Sequence, residues 1–328
     1  MTVRWGILGG SNFARQFMGP AIHAARGASL EALATSDPEK AAGFAAFRPG
    51  LRVHQSYEAL LDDPGIDAAY IPLPNTLHVD WAPQALEAGK HVLCEKPVAM
   101  AAGEIDALIA ARDATGLLAA EAYMIVFHPQ WQRTRALVAE GAIGRLSHVE
   151  GLFTYNNPDP GNIRNIADLG GGGIRDIGVY TYGATRWVSG SEPVEITHAD
   201  VDFEAGVDVV ARVSARFPGF SAHWVNSTRM HPAQVMTFVG DQGLIRLTAP
   251  FNANVFGEAR IELHRAGLRV EAERFPAANH YVLQVEAFCE SVATGAPYGW
   301  PLEQAKGTQA VIDAVFAKAG VSRAGSSA

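Results

Sequence analysis

The first third of the chain alternates short apolar runs with longer amphipathic stretches. The apolar runs have the length of buried strands and cover residues 3–8, 30–34, 68–71, 91–94 and 117–122. Stretches with helical spacing lie between them, at residues 13–25, 38–47, 77–88 and 101–115. Strands that alternate with helices of this length are joined by right-handed crossovers in one parallel sheet. The pattern therefore predicts an α/β fold whose first domain, residues 1–122, is a doubly wound Rossmann sheet that binds a dinucleotide.

The pattern changes character after Tyr123. From about Val194 to Phe275, strand-like runs are separated by turn residues, and residues 207–217 alternate apolar with polar positions. Such alternation is typical of an antiparallel sheet with one covered face. Helices are predicted at residues 129–140, 281–294 and 302–319, and residues 322–328 are expected to fray. We therefore expect a second α/β domain over residues 123–328, with a large, mostly antiparallel open sheet.

The composition is that of an ordinary globular protein and disfavours several functions. The chain has 328 residues, of which 48% are hydrophobic and 18% charged, and its net charge is −8. That charge disfavours nucleic acid and anionic membranes as partners. No apolar stretch reaches the ~18 residues that span a bilayer.

Cysteine and histidine usage narrows the chemistry further. Cys94 and Cys289 lie far apart, and Cys94 has the position of a small buried residue in a strand, which fits a reducing compartment. The first residues show no signal-peptide pattern, so we expect a cytoplasmic protein. The histidines lack the His-x-x-x-His spacing of a metal site, and the G-x-S-x-G motif is absent. We expect neither a metal centre nor a serine hydrolase.

A glycine-rich turn follows the first predicted strand. Against the pattern G-x-G-x-x-G/A, Gly9 fits the first position, Ser11 replaces the second glycine and Ala14 fits the last. The pattern provides a tight turn, close approach of the backbone to a pyrophosphate, and N–H groups at a helix N-terminus. Serine is small enough for this task, and its hydroxyl can donate to a phosphate. The alternative is a tight strand-to-helix turn without a nucleotide.

The tip of the second predicted strand bears on the choice of nicotinamide cofactor. Thr35 and Ser36 occupy the expected contact positions, and Lys40 follows one helical turn later. Hydroxyl and basic groups accommodate the 2′-phosphate of NADP, whereas an acidic residue takes the ribose hydroxyls of NAD. Asp37 precedes Pro-Glu-Lys, a favourable start for a helix, so we expect it to cap that helix. The sequence favours NADP, and NAD remains open through Asp37.

The tripeptide Glu95-Lys96-Pro97 closes a β-α-β unit. A residue just past the end of a parallel strand lies at the edge where open α/β sheets bind ligands. An ammonium group at that edge can polarise a substrate oxygen. The alternative for Lys96 is an ordinary surface lysine.

These motifs, together with residues 71–78 and with the run Gly-Gly-Gly-Ile-Arg-Asp-Ile-Gly-Val-Tyr that ends at Tyr180, give the chain its resemblance to a known family. The chain resembles the glucose–fructose oxidoreductase/inositol dehydrogenase (Gfo/Idh/MocA) family over nearly its whole length. The resemblance implies hydride transfer between a nicotinamide and a sugar, polyol or diol carbon. It also implies homodimers or homotetramers that assemble through the C-terminal sheet.

Family positions carry over to this chain one residue at a time. The cofactor contacts implied by the resemblance are Gly9, Ser11, Asn12, Phe13, Thr35, Ser36, Leu73, Pro74, Asn75, His78, Glu95 and Lys96. The implied catalytic residues are Lys96, Asp176 and Tyr180. Tyr180 stands where inositol dehydrogenase-like members carry histidine, so the chain looks more like the xylose dehydrogenase, dihydrodiol dehydrogenase and glucose–fructose oxidoreductase branch.

The expected roles follow from the chemistry of these groups. In the oxidation direction, Tyr180 would accept the hydroxyl proton, and Lys96 would lower the pKa of the phenol and stabilise the developing oxyanion. Asp176 lies four residues before Tyr180, on the same helix face, and would orient the lysine or the substrate hydroxyl. The alternative for Tyr180 is a tyrosine that only packs its helix.

Three further residues are candidates for substrate contact. They are His128, for which the alternative is a satisfied buried histidine, and Asn157 and Arg164, for which it is a surface loop. The sequence thus predicts an NADP-preferring oxidoreductase that acts on a sugar or polyol. The alternatives are a trans-dihydrodiol dehydrogenase-like enzyme and a non-catalytic cofactor-binding regulator on the same scaffold.

Overall fold

The computed structural model describes residues 1–321, so the predicted fraying of residues 322–328 lies outside the described chain. Two compact units make up the fold. The first joins Met1–Phe127 with His280–Lys306, and the second joins His128–Asn279 with residues 307–321. The expected boundary lay at residues 122/123. In this division the first unit extends to Phe127 and also contains the segment His280–Lys306.

A six-stranded sheet forms the first unit. Its strands are β1 (Val3–Leu8), β2 (Ala28–Ala34), β3 (Arg52–His54), β4 (Ala68–Ile71), β5 (His91–Glu95) and β6 (Ala119–Ala122). Its helices are α1 (Gly19–Ala24), α2 (Pro38–Ala45), α3 (Tyr57–Leu61), α4 (His78–Glu87) and α5 (Glu104–Thr115). The strand order is β3-β2-β1-β4-β5-β6, and every neighbouring pair is parallel. This confirms the predicted Rossmann sheet, whose order reverses between β1 and β4.

The sequence pattern did not predict β3 and α3. β3 has three residues at the edge of the sheet, and two of them are exposed, so it carries no apolar alternation. α3 is a five-residue helix that Ser56 caps by accepting the Ala59 N–H. Elements this short leave too few positions for a period to be recognised.

The helix α8 (His280–Thr294) follows the second sheet in the chain but packs on the first. Phe288 lies 5.0 Å from Trp5 of β1, measured between ring centroids, and Tyr281 lies 5.7 Å from Phe13. Burial of these large rings explains why the segment belongs to the first unit.

An eight-stranded sheet forms the second unit. Its strands are β7 (Leu146–Asn156), β8 (Glu195–Glu204), β9 (Val207–Phe217), β10 (Phe220–Ser227), β11 (Arg229–Gly240), β12 (Gly243–Leu247), β13 (Arg260–Arg265) and β14 (Arg269–Arg274). The order is β14-β13-β12-β11-β7-β10-β9-β8, in which β7 and β10 are parallel and the other neighbours antiparallel. The predicted fold of a Rossmann sheet with a mostly antiparallel second sheet is therefore confirmed.

The helices α6 (Pro129–Ala139) and α7 (Val179–Ser189) belong to this unit, and α9 (Leu302–Lys318) begins in the first unit and ends in the second. Aromatic rings fill the space between the sheet and the helices. Phe251 stacks on Trp131 and on Phe153, and Trp224 meets Tyr182 edge to face. Within residues 1–321, no helix combines the length and the apolarity that a membrane span requires.

Candidate active site

The glycine-rich turn has the geometry that the motif predicts. Gly9 has a φ of +98°, which favours glycine, and a Cβ there would come within 2.9 Å of Leu73 Cδ2. The turns after β1 and β4 therefore touch at the point where the strand order reverses. Helical structure then runs from residue 12 to residue 24 and includes a π-helical turn at Ala14–Met18.

The start of this helix offers N–H groups to an anion. The Ser11 hydroxyl oxygen accepts the Ala14 N–H at 3.0 Å, which leaves its hydrogen to be donated elsewhere. Asn12 and Phe13 are the first helical residues, and N–H groups at this position have no acceptor within the helix. These residues fit the pyrophosphate of a dinucleotide.

At the tip of β2, Asp37 caps α2, as the sequence predicted. Its side chain accepts the N–H groups of Glu39 and Lys40 at 2.9 and 3.2 Å, while the Thr35 hydroxyl oxygen accepts the Asp37 N–H. The stem of Lys40 lies against the glycine-rich turn, because a Cβ on Gly10 would be 3.0 Å from the Lys40 Cβ. Lys40 thus lies beside the turn that would hold the phosphates.

His78, predicted as a cofactor contact, is fully buried at the start of α4. Its Nδ1 lies 2.8 Å from the Pro97 carbonyl oxygen and its Nε2 lies 2.9 Å from the Leu73 carbonyl oxygen. Burial lowers the pKa of this imidazole, although the two carbonyl groups act to raise it. His78 therefore lies between the turn after β4, which contains Leu73, Pro74 and Asn75, and the turn after β5, and the neutral imidazole donates its single N–H to one of the two carbonyl oxygens.

The peptide around Lys96 is held at three successive residues. The Lys96 N–H donates to Glu95 Oε2 at 3.3 Å, and the Val98 N–H donates to Glu121 Oε1 at 3.0 Å. Between them, the Pro97 carbonyl oxygen lies 2.8 Å from His78 Nδ1. The Lys96–Pro97 bond is cis. These contacts fix the backbone of Lys96 at the carboxyl end of β5.

Two acidic side chains support this turn from within the sheet. Glu95 accepts the Tyr70 hydroxyl at 2.6 Å, and burial raises the pKa of Glu95. Glu121 is 2% exposed and also accepts the Trp300 indole N–H at 2.9 Å. The roles of Tyr70, Glu121 and Trp300 could not be predicted from the sequence, because their partners lie on other elements of the fold. Glu95, expected at the cofactor, has its carboxylate engaged with the protein.

Asp176 forms a compact group with two other side chains in the second unit. Its Oδ2 lies 2.9 Å from Arg164 Nε and accepts the Tyr155 hydroxyl at 2.6 Å. The Asp176 charge raises the pKa of Arg164, and burial raises the pKa of Tyr155. Arg164 and Asp176 were identified from the sequence, whereas Tyr155 was not, and the structure places it in β7.

Tyr180 lies in the first turn of α7 and is 6% exposed. Its ring contacts Phe153 and Phe251, with centroid distances of 5.9 and 5.8 Å. Tyr180 also acts to raise the pKa of Arg164, so its phenol lies near the guanidinium. The structure therefore places Arg164 against Asp176 and near Tyr180.

The remaining substrate candidates have structural roles. His128 is fully buried and caps α6, with its Nδ1 accepting the Gln130 N–H at 3.1 Å, and burial lowers its pKa to about 4. Asn157 Oδ1 accepts the Asp159 N–H, and the Asn157 carbonyl accepts from Arg229. Both residues stabilise local structure, and only Arg164 of the three joins the group around Asp176.

The described part of the chain holds no group of three or more histidine, cysteine or acidic side chains arranged to bind a metal ion. The free cysteines Cys94 and Cys289 are both buried, as predicted for Cys94.

Two family models match the chain. One, described as an oxidoreductase family with an NAD-binding Rossmann fold, matches residues 3–123, and the other, the GFO/IDH/MocA C-terminal domain, matches residues 131–246. Together they confirm the resemblance stated from the motifs.

Individual proteins match nearly the whole chain. An uncharacterized oxidoreductase, ORF334, of Rhizobium meliloti is 40% identical over 95% of this chain and 96% of its own length. D-xylose 1-dehydrogenase (NADP(+)) 2 of Haloferax volcanii is 33% identical over 96% of this chain and 97% of its own. The crystal structure of KijD10, a 3-ketoreductase from Actinomadura kijaniata in complex with NADP and TDP-benzene, is similar with a TM-score of 0.89 at 29% identity and covers 97% of this chain and 98% of that one.

Proposed function

Because the chain belongs to the Gfo/Idh/MocA family and is an NAD(P)-dependent oxidoreductase, we propose that it transfers a hydride between NADP and a sugar, a polyol or a related hydroxyl or carbonyl compound. The observation that carries this proposal is Lys96, held by its neighbours at the carboxyl end of β5 on the ligand-binding edge of the sheet.

The residues at this edge fit a dinucleotide. Gly9, Ser11, Asn12 and Phe13 would hold the pyrophosphate, because their turn is tight and the N–H groups of the first helical turn suit an anion. Leu73, Pro74, Asn75 and Glu95 would line the nicotinamide end, with His78 fixing their turns.

The choice of NADP over NAD rests on the tip of β2. Thr35 and Ser36 would donate to the 2′-phosphate, and Lys40 would add a positive charge. The carboxylate of Asp37 already accepts two helix N–H groups, which favours capping over reading the ribose. The NADP named for the xylose dehydrogenase and bound in the 3-ketoreductase structure supports the same choice.

The chain's own residues would handle the proton and the oxygen charge. When bound, the nicotinamide supplies or takes up the hydride. The Tyr180 hydroxyl would take the proton from the substrate hydroxyl during oxidation and return it during reduction. The Lys96 ammonium would stabilise negative charge on the substrate oxygen. Asp176, held by Arg164 and Tyr155, would orient the substrate hydroxyl.

A screen of cofactor reduction tests this function. Purified protein is incubated with NAD or NADP and a panel of aldoses, polyols and trans-dihydrodiols, and the absorbance of the reduced cofactor is followed; nucleotide-linked keto sugars are tested in the reverse direction. The double variant Lys96→Met/Tyr180→Phe is the control. We expect turnover with an aldose or polyol and NADP. Turnover only with diols would favour the dihydrodiol dehydrogenase alternative, and no turnover above the double variant would contradict the proposal.

We also propose that the C-terminal sheet joins two or four copies of the chain. Leu152, Val225 and Val235 are paired side by side across β10, β7 and β11, on the face opposite the buried row of Trp224 and Met236. An apolar row of this kind suits a symmetric interface. Light scattering should give a dimer or tetramer that Leu152→Glu dissociates; a monomeric wild-type protein would contradict this.

The buried free cysteines support a cytoplasmic location.

A further inference from the structure

A carboxylate lies directly beneath the glycine run that leads to Tyr180. Asp208, the second residue of β9, is 2% exposed. Its Oδ2 accepts the Ile174 N–H at 2.6 Å, and its carboxylate also accepts the Gly173 N–H. Residues Ile174–Gly178 form the π-helical turn that continues into α7, so Asp208 binds the N–H groups with which this helical segment begins.

The same carboxylate explains why glycines precede the helix. Gly172 has a φ of +118°, and a Cβ on it would overlap Asp208 Oδ1. A Cβ on Gly173 would lie 3.4 Å from Asp208 Oδ2, and one on Gly171 would lie 2.5 Å from the Arg164 carbonyl oxygen. The run is therefore enclosed between Arg164 and Asp208, and larger residues would displace it from both.

The burial of Asp208 is unfavourable for its charge. Burial raises the pKa of Asp208 to about 6, although the backbone N–H groups of Ile174, Gly173 and Asp208 itself and the charge of Arg175 act to lower it. Tyr182, on α7, also interacts with the Asp208 charge, and burial raises the pKa of that phenol. Because the buried charge of Asp208 lowers the stability of the fold, a stabilising role does not explain why an aspartate stands at this position.

We propose that Asp208 is a positioning residue for the reaction: by binding the Gly173 and Ile174 N–H groups, it fixes the segment that carries Asp176 and Tyr180. Its effect on turnover rests on the proposed role of Tyr180, whereas its effect on the segment does not. A displacement of about 1 Å in a proton-transfer group can lower a rate by ~10².

The test compares Asp208→Asn with Val213→Ala, a cavity-forming change at a buried residue of the same strand. Both variants are assayed for kcat and KM with NADP and the best substrate of the screen. Hydrogen exchange of the peptide covering residues 170–182 is measured by mass spectrometry in the same samples. If Asp208→Asn does not fold, Asp208→Ser, which leaves room for a water molecule, replaces it.

We expect the Asp208 variant to lower kcat by ~10–100-fold, to leave the KM for NADP within about twofold, and to speed exchange in the peptide, whereas Val213→Ala lowers only the melting temperature. Wild-type exchange in the Asp208 variant, or equal changes in Val213→Ala, would overturn the proposal. If exchange is faster in the Asp208 variant but the wild-type protein has no activity, the proposed function would be contradicted. The role of Asp208 in holding the segment would then still stand.

Discussion

At the scale of single residues, the backbone around Lys96 is held at three consecutive positions. Its contacts there are with Glu95, His78 and Glu121. A rigid attachment limits where the ammonium can reach, which is the condition for electrostatic stabilisation of a transition state. The charge of Lys96 is therefore the feature to remove, with its backbone left intact.

Lys96→Met keeps an unbranched side chain of similar length and removes the charge. We expect kcat to fall by ~10²–10³, because the developing oxyanion loses its counter-charge, while cofactor affinity changes far less. Steady-state kinetics and fluorescence titration with NADPH measure the two effects. Near-normal turnover in this variant would remove Lys96 from the catalytic residues.

Tyr180→Phe keeps the ring that packs against Phe153 and Phe251 and deletes only the hydroxyl. If the hydroxyl carries the proton, activity should fall by ~10²–10⁴ with little change in melting temperature. Turnover assays and thermal unfolding on the same preparation check this. A large drop in melting temperature would show that the hydroxyl is a structural hydrogen bond, and a small loss of activity would assign the proton to another group.

The sequence could identify single residues by type and by their place at strand ends, but it could not show their partners. Lys96 was recognisable from its motif. His78 and His128 were recognisable as histidines near the site, yet the carbonyl oxygens around His78 and the capping role of His128 come from the folded backbone. The partners of His78 are therefore set by the folding of two separate turns, whereas the cap that His128 provides is a local contact with Gln130, two residues along the chain.

At the scale of elements, we expect the turn between β2 and α2 to decide the preference between NADP and NAD. Lys40→Ala should narrow the difference in binding free energy between NADP and NAD by about 1 kcal/mol or more, because one charge near the 2′-phosphate is lost. Affinities for both cofactors are measured by titration, with Lys318→Ala, an exposed lysine at the end of α9, as the matched control. Tighter binding of NAD than NADP, unaffected by Lys40→Ala, would assign the ribose to Asp37.

The contact between β9 and the glycine run predicts a specific pH dependence of stability. The pKa of Asp208 is raised from 3.8 to about 6, so its contribution to the free energy of unfolding is fully present below pH 3.8 and is lost as the pH rises through 6. Compared with Asp208→Asn, the wild type should lose about 3 kcal/mol of stability between these limits. Urea unfolding of both proteins across this range measures the difference. Parallel stability curves would contradict the raised pKa.

At the scale of the whole molecule, the types of the two sheets follow from the sequence pattern, because buried strands that alternate with helices and half-covered antiparallel strands leave different patterns. The assignment of α8 does not follow from the pattern. Its helix period was visible, but the choice between the two sheets depends on ring contacts such as Trp5 with Phe288, which are separated by most of the chain. The same holds for the candidate site. Its motifs could be recognised in the sequence, whereas the contacts of Tyr155 and Asp208 could be identified only in the structure.

Hydride tracing tests the central claim most directly. The best aldose or polyol of the screen is supplied with deuterium on its carbons together with NADP, and the reduced cofactor is analysed by mass spectrometry. The account predicts one deuterium per reduced nicotinamide with the wild-type protein, and a rate lower by ~10² or more in Lys96→Met and in Tyr180→Phe. Reduced cofactor without deuterium, or equal transfer by all three proteins, would contradict it.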